Sequence, residues 1–307
     1  MVNSASAVVR GVQGDIAPGQ LGVVDAHDHL FFRSPLLSGQ ELDDVGLARQ
    51  ELAAYAAVGG GTVVQWTPYG LGRRAAELPA LAEATGVRIV AATGMHQSAH
   101  YAPELLAARK TDLAELFVRE LTEGIGGSGV RAGLIKVAGG FHALDAHARW
   151  TMRAAAEAHH ATGAPIAVHH ELGTGALVVL DLLCEELEVP AHRILLGHLN
   201  RSPDFVVQRD AARSGAYLAF DGPSRANHAT DWRMPDAMAA LAEAGFAHRL
   251  LLGGDTTTAG ARSVSGGPGM PYLLRRVRPR LTEALGKDVV EQVLVTNPAA
   301  AFAVEWR

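Results

Sequence analysis

Five apolar runs of this chain end in, or enclose, residues able to bind a cation. Leu21-Gly22-Val23-Val24 leads into Asp25-Ala26-His27-Asp28-His29. On a β-strand, residues i and i+2 share a face, so His27 and His29 project together and can grip one ion. Among 14 histidines a His-x-His pair is weak evidence by itself. The feature recurs in kind. Pro165–Val168 runs into His169, Ile194–Gly197 into His198 and Leu250–Gly254 into Asp255, while Ala132–Val137 holds a lone Lys136. Singly, each has an ordinary reading as a hydrogen-bonded rim histidine or a turn aspartate. Six such residues in the same place relative to their runs point to a metal site.

The donor set is imidazole nitrogen and carboxylate oxygen, with no thiolate. It suits Zn²⁺ first, with Mn²⁺, Co²⁺ or Fe²⁺ as alternatives. Lys136 fits such a site only as a neutral amine, since an ammonium repels a dication. Burial depresses a lysine pKa, and the neutral amine can add CO₂ to become a carbamate that bridges two metals. The competing reading of Lys136 is an ion pair with Asp255.

These residues need a scaffold that gathers strand ends. Strand-like runs fall at 21–26, 61–66, 87–93, 132–137, 165–169, 193–198, 216–221 and 249–255. Helical spacing of apolar residues separates them at 43–58, 73–85, 111–126, 145–162, 175–188, 203–214, 233–246 and 270–285. Eight β/α units predict a (β/α)8 TIM barrel, whose chemistry sits at the C-terminal strand ends; an open doubly wound sheet is the poorer alternative. No composition break divides the chain. The expected organisation is one domain over 1–307: an N-terminal β-hairpin in 1–20, the barrel in 21–285 and C-terminal helices in 286–307.

Composition narrows the partners. The chain is 48% hydrophobic, carries a net charge of −5 and has one cysteine. Without a basic cluster, nucleic acid and anionic membrane surfaces are not expected partners. No basic-then-apolar leader is present and no apolar run approaches about 18 residues, so a cytoplasmic protein acting on a small molecule is expected.

With the six residues placed, the chain resembles the phosphotriesterase family of the amidohydrolase superfamily. The likeness includes Gly14-Asp15-Ile16, Val90–Gly94, Gly129–Val137 with its Arg-Ala-Gly-x-Ile-Lys run, and Thr296-Asn297-Pro298. It implies a distorted barrel, commonly dimeric, with two divalent ions and a bridging hydroxide. His27 and His29 would hold the buried ion, His169 and His198 the more exposed one, carboxylated Lys136 would bridge them, and Asp255 would ligate the buried ion. Asp255 would also take the proton of the attacking hydroxide.

Substrate contacts are read from the loops. His96 stands where lactonase branches of this family typically have a tyrosine, and it either bonds the substrate or lines the rim. Arg225 occupies the place of a phosphate-gripping basic residue. The strand-8 arginines that accompany it there are replaced by Thr256-Thr257-Thr258, so Arg262 is the candidate substitute, with a solvated surface role as the alternative for both arginines. Trp66 and Tyr69 either wall the pocket or pack. The leading expectation is hydrolysis of a lactone or carboxylic ester. A true phosphotriesterase is the second reading, and a catalytically inactive barrel that only binds is the third.

Overall fold

Runs that are apolar throughout become strands covered on both faces. The computed structural model, which describes residues 7–222 and 227–307, contains eight of them in one parallel sheet. An antiparallel hairpin of β1 (Val9–Gly11) and β2 (Gly14–Ile16) comes first. The parallel strands are β3 (Val23–Asp28), β4 (Gly60–Gln65), β5 (Arg88–Gly94), β6 (Leu134–Ala138), β7 (Ile166–His169), β8 (Ile194–Gly197), β9 (Tyr217–Asp221) and β10 (Leu250–Gly253). Each pairs with its neighbour in sequence, as a (β/α)8 barrel requires.

The barrel closes where β10 meets β3. The amides of Gly254 and Asp255 both donate to the His27 carbonyl at 3.0 Å. The approach is so close that a Cβ on Gly253 would lie 2.6 Å from that carbonyl oxygen and 2.7 Å from the His27 Cβ.

Helices cover the outside, among them Val45–Ala56, Leu113–Thr122, Ala146–Thr162 and Phe205–Arg213. Their starts are set by side-chain caps. Asp44 accepts from Leu47 N, Asp145 from Ala148 N, and Asp204 from Val206 and Val207 N, satisfying amides that lack a helical partner. Short helices at Pro103–Ala108 and His228–Asp231 were not foreseen by the periodicity, being little more than one turn long. Among the described residues no helix is long and apolar enough to cross a membrane.

Two cores result. One lies between strands and helices. The other fills the barrel with Val24, Ala26, Val64, Trp66, Val90, Ala92, Leu134, Ala167, Leu195, Tyr217, Ala219 and Leu251. The alternation of strand side chains puts the residue two further along in the next layer up. Leu134 is thus followed by Lys136, Ala167 by His169, and Ala219 by Asp221. Four alanines in the inner core leave space that Trp66 fills, with its indole Nε1 donating to Ala26 O at 2.8 Å. The functional layer rests on a packed, apolar floor.

Candidate metal centre

The uppermost layer of the barrel surrounds a cavity of about 510 Å³. His27, His29, Lys136, His169, His198 and Asp255 all line it, together with His96. The structure therefore brings together six residues from five separate strand ends.

Hydrogen bonds decide which ring nitrogens face inward. His27 Nδ1 lies 2.8 Å from Asp221 Oδ1, a carboxylate that can only accept, so this nitrogen carries the proton. Thr67 gives its hydroxyl proton to Phe31 O at 2.5 Å and hence accepts from His29 Nδ1 at 2.7 Å. With both Nδ1 atoms donating, both Nε2 atoms are left as lone pairs. They converge on Asp255 Oδ1, at 3.5 Å from His27 and 3.6 Å from His29. On the other side of the cavity His198 Nε2 and His169 Nδ1 stand 2.9 Å apart. One atom each of His27, His198 and Asp255 falls within a 4.8 Å span, so donors from the two sides of the cavity approach one another closely.

The electrostatics match that grouping. Burial lowers His29 to about 4, holding it neutral at pH 7. Burial also opposes ionisation of Asp255, but His198, Arg201 and His27 outweigh it and hold the carboxyl well below its usual range. Burial pulls Lys136 down to about 7. It forms no ion pair with Asp255 within 4.0 Å, contrary to the alternative reading of that lysine. Neutral His29, ionised Asp255 and an amine about half deprotonated at pH 7 form a donor set short of positive charge, which suits divalent cations.

The supporting groups were missed by sequence reasoning. Asp221 contacts His27 as above, and its Oδ2 accepts the His198 amide at 2.9 Å while lying 2.8 Å from that ring's Nδ1. Asp221 is inward by simple alternation from Tyr217 and Ala219, so its signal was present in the β9 run. Arg201 Nη2 donates to Asp255 Oδ2 at 2.7 Å, a pairing set by the path of the loop after β8 and not marked by any periodicity. Asp25 Oδ1 accepts from the amides of His27 and Gly254, and Asp28 Oδ1 from those of His29 and Thr256. These two carboxyls fasten the exits of β3 and β10 together. Burial raises both, Asp25 further because the charge of Asp28 adds to it. His198 and Asp255 both take left-handed backbone conformations, with φ of 67° and 52°, at the points where the chain leaves its strand.

The expected substrate contacts divide. His96 reaches the cavity, stacked on His100 at 4.3 Å between ring centroids and edge-on to His169 at 4.7 Å. Its backbone is held on both sides, by Tyr101 Oη on its N–H and by His147 Nε2 on its carbonyl, each at 2.7 Å. Trp66 is no wall of the pocket: it is fully buried beneath it, stacked on His27 at 3.8 Å. Tyr69 is also outside the lining, packed beside Arg73 and Arg109 with ring distances of 5.6 Å. Arg262 neither faces the cavity nor meets solvent. It is 2% exposed and donates to the carbonyls of Leu30 and Asp44, its charge drawn in by these oxygens and by nearby Glu51. Arg225 lies outside the described residues. Phe32, Leu36 and Leu37 supply the apolar side of the cavity, facing His100, Gln97 and Glu171.

The chain is similar to known proteins over nearly its whole length. The model of the phosphotriesterase family matches residues 7–302. A phospho-furanose lactonase of Mycoplasmopsis agalactiae is 29% identical, over 97% of this chain and 92% of the relative. An N-acetyltaurine hydrolase of Rattus norvegicus is 28% identical, over 97% of this chain and 98% of its own length. Among solved structures, a lactonase from Listeria monocytogenes superposes with a TM-score of 0.89 at 29% identity, covering 96% of this chain and 98% of that one.

Proposed function

This chain belongs to the phosphotriesterase family of metal-dependent hydrolases, and from that premise we propose that its cavity holds two divalent ions and opens a lactone or carboxylic ester. His27, His29 and Asp255 would hold one ion, His169 and His198 the other, and Lys136 as its carbamate would bridge them. Zn²⁺ is the first choice for this donor set. One observation carries the reading: the Nε2 atoms of His27 and His29, whose Nδ1 atoms donate to Asp221 and Thr67, converge on an ionised Asp255. Such an arrangement repels itself unless a cation sits within it.

When bound, the ions acidify a water and polarise the scissile carbonyl. The remaining work belongs to this chain's own residues. Arg201 occupies Asp255 Oδ2, leaving Oδ1 turned toward the imidazoles as the oxygen placed to take a proton and return it to the leaving alkoxide. Asp221 and Thr67 hold the rings of His27 and His29 in the tautomer that presents Nε2. Phe32, Leu36 and Leu37 receive the apolar part of the substrate, and His96 with His100 faces its polar part. The same proposal includes a single unit over 1–307, on the unbroken succession of β/α units, a homodimer, on family resemblance, and a cytoplasmic location, on the single cysteine.

The test pairs elemental analysis of purified protein with turnover of a panel: γ- and δ-lactones, phosphorylated sugar lactones, an aryl phosphotriester and an N-acetylated amine, the last prompted by the rat relative. Expected are two ions per chain and fastest turnover on a lactone. Turnover of the phosphotriester or the amide alone would replace the substrate class. Failure to retain any divalent ion would overturn the ligand assignment.

A further inference from the structure

Asp255 lies near histidines of both halves of the cavity, at 3.5 to 3.8 Å, but among the described residues Asp221 is the carboxylate hydrogen-bonded to histidines of both. Its Oδ1 takes His27 Nδ1 at 2.8 Å. Its Oδ2 takes the His198 amide at 2.9 Å and lies 2.8 Å from the ring Nδ1, out of line for a hydrogen bond. The side chain is fully buried. Its backbone is clamped by Asn200, whose Nδ2 donates to Asp221 O at 2.7 Å and whose Oδ1 accepts Asp221 N at 3.0 Å. A carboxylate held this way cannot satisfy one histidine by swinging away from the other.

We infer that Asp221 couples the two ion positions, so that the chain loads its ions as a pair. This rests on the ligand assignment proposed above, which places His27 and His198 on different ions. An ion at His27 Nε2 requires the Nδ1–H tautomer and a fixed ring, and Asp221 supplies both. Because this link is stiff, any adjustment of the His27 ring on binding is passed through the Asp221 carboxylate to the amide that sets the left-handed turn at His198. The second ion then meets a His198 whose backbone has already been carried to its ligating position, which is positive cooperativity through a shared rigid contact. Thr67 provides the contrast. It supports His29 alone, so its effect stays on one side of the cavity.

Metal titration of the apoprotein by calorimetry, with Zn²⁺ as the probe, tests the coupling. Asp221→Asn is expected to weaken both ions, each by about 10- to 100-fold, and Thr67→Val to weaken one. An Asp221→Asn protein in which only one ion, or neither, is weakened overturns the inference. A wild type that binds fewer than two ions defeats the ligand assignment instead, so the two failures are told apart. A second measurement leaves Asp221 intact and uses Mn²⁺ and electron paramagnetic resonance on Lys136→Met, which lacks the other candidate bridge. Below saturation, the spectrum of spin-coupled pairs is expected to dominate. Isolated-ion signals that persist until one position is full would overturn the coupling through Asp221.

Discussion

Arg201 donates from Nη2 to Asp255 Oδ2 at 2.7 Å, and the two side chains retain only 8% and 10% of their exposure. Removing one partner of a buried pair strands the other's charge, at a cost of about 3–5 kcal/mol. Arg201→Met should therefore destabilise the metal-free protein by that order, and the Zn²⁺-loaded protein by clearly less, since the ions also neutralise Asp255. Denaturant unfolding with and without Zn²⁺ measures the difference. Equal losses in both states would mean that Arg201 does not act through Asp255.

Asp255→Asn keeps the shape of the side chain and an oxygen toward the cavity, but it cannot accept a proton. Turnover of the best lactone should fall by about 100- to 10,000-fold while elemental analysis still finds the ions. Near-wild-type turnover in a loaded Asp255→Asn protein would remove Asp255 from the proton path.

Burial lowers Lys136 from the usual 10.5 to about 7, which fixes a pH trend for the metal-free protein. Between those values the unfolded chain holds a proton that the folded chain does not. Stability therefore rises with pH across that window, by up to about 1.4 kcal/mol per pH unit. Lys136→Met should lack this slope. Denaturant melts of both proteins in chelator at pH 7.5, 8.5 and 9.5, taken as illustrative points within the window, check it. Parallel curves would show that the amine is protonated in the fold.

Gly253 sits at the barrel seam, where an added Cβ meets the backbone of His27 at 2.6 to 2.8 Å. Gly253→Ala should cost about 1–3 kcal/mol by overpacking, and, because the displaced residue is His27, it should also weaken Zn²⁺ retention. Gly19→Ala, with nothing within 4 Å of the new atom, is the neutral control. Unchanged melting and metal content in Gly253→Ala would show that the seam yields freely.

What was legible in the sequence follows from what is periodic. The eight runs could be read because each is apolar throughout, and the residues that end them fall on one rim by necessity. Asp221 was equally readable, standing two residues beyond inward Ala219, yet an aspartate before Gly-Pro resembles an ordinary turn. Trp66 could not be decided between wall and packing because size alone does not tell a wall from a floor; the small residues Ala26, Ala92, Ala167 and Ala219 beside it in the inner core lie on four other strands. Arg262 was misjudged because charge is normally a sign of exposure. Its burial depends on carbonyls at Leu30 and Asp44, whose positions no local pattern records. Arg201 likewise depends on a loop path.

Val8 and Val304 exchange backbone hydrogen bonds of 3.0 Å, and the Arg10 guanidinium lies 3.7 Å from the Trp306 ring centroid. Val12 N, just beyond, bonds Ile89 O near the start of β5, and Phe302 enters the inner core. The two ends of the described chain are thus knotted side by side under the barrel, at the strand starts, while the cavity opens above the strand finishes. A surface or probe joined to an exposed side chain beside Val8 or Val304 would sit on the underside, leaving the mouth free for immobilised or tethered use.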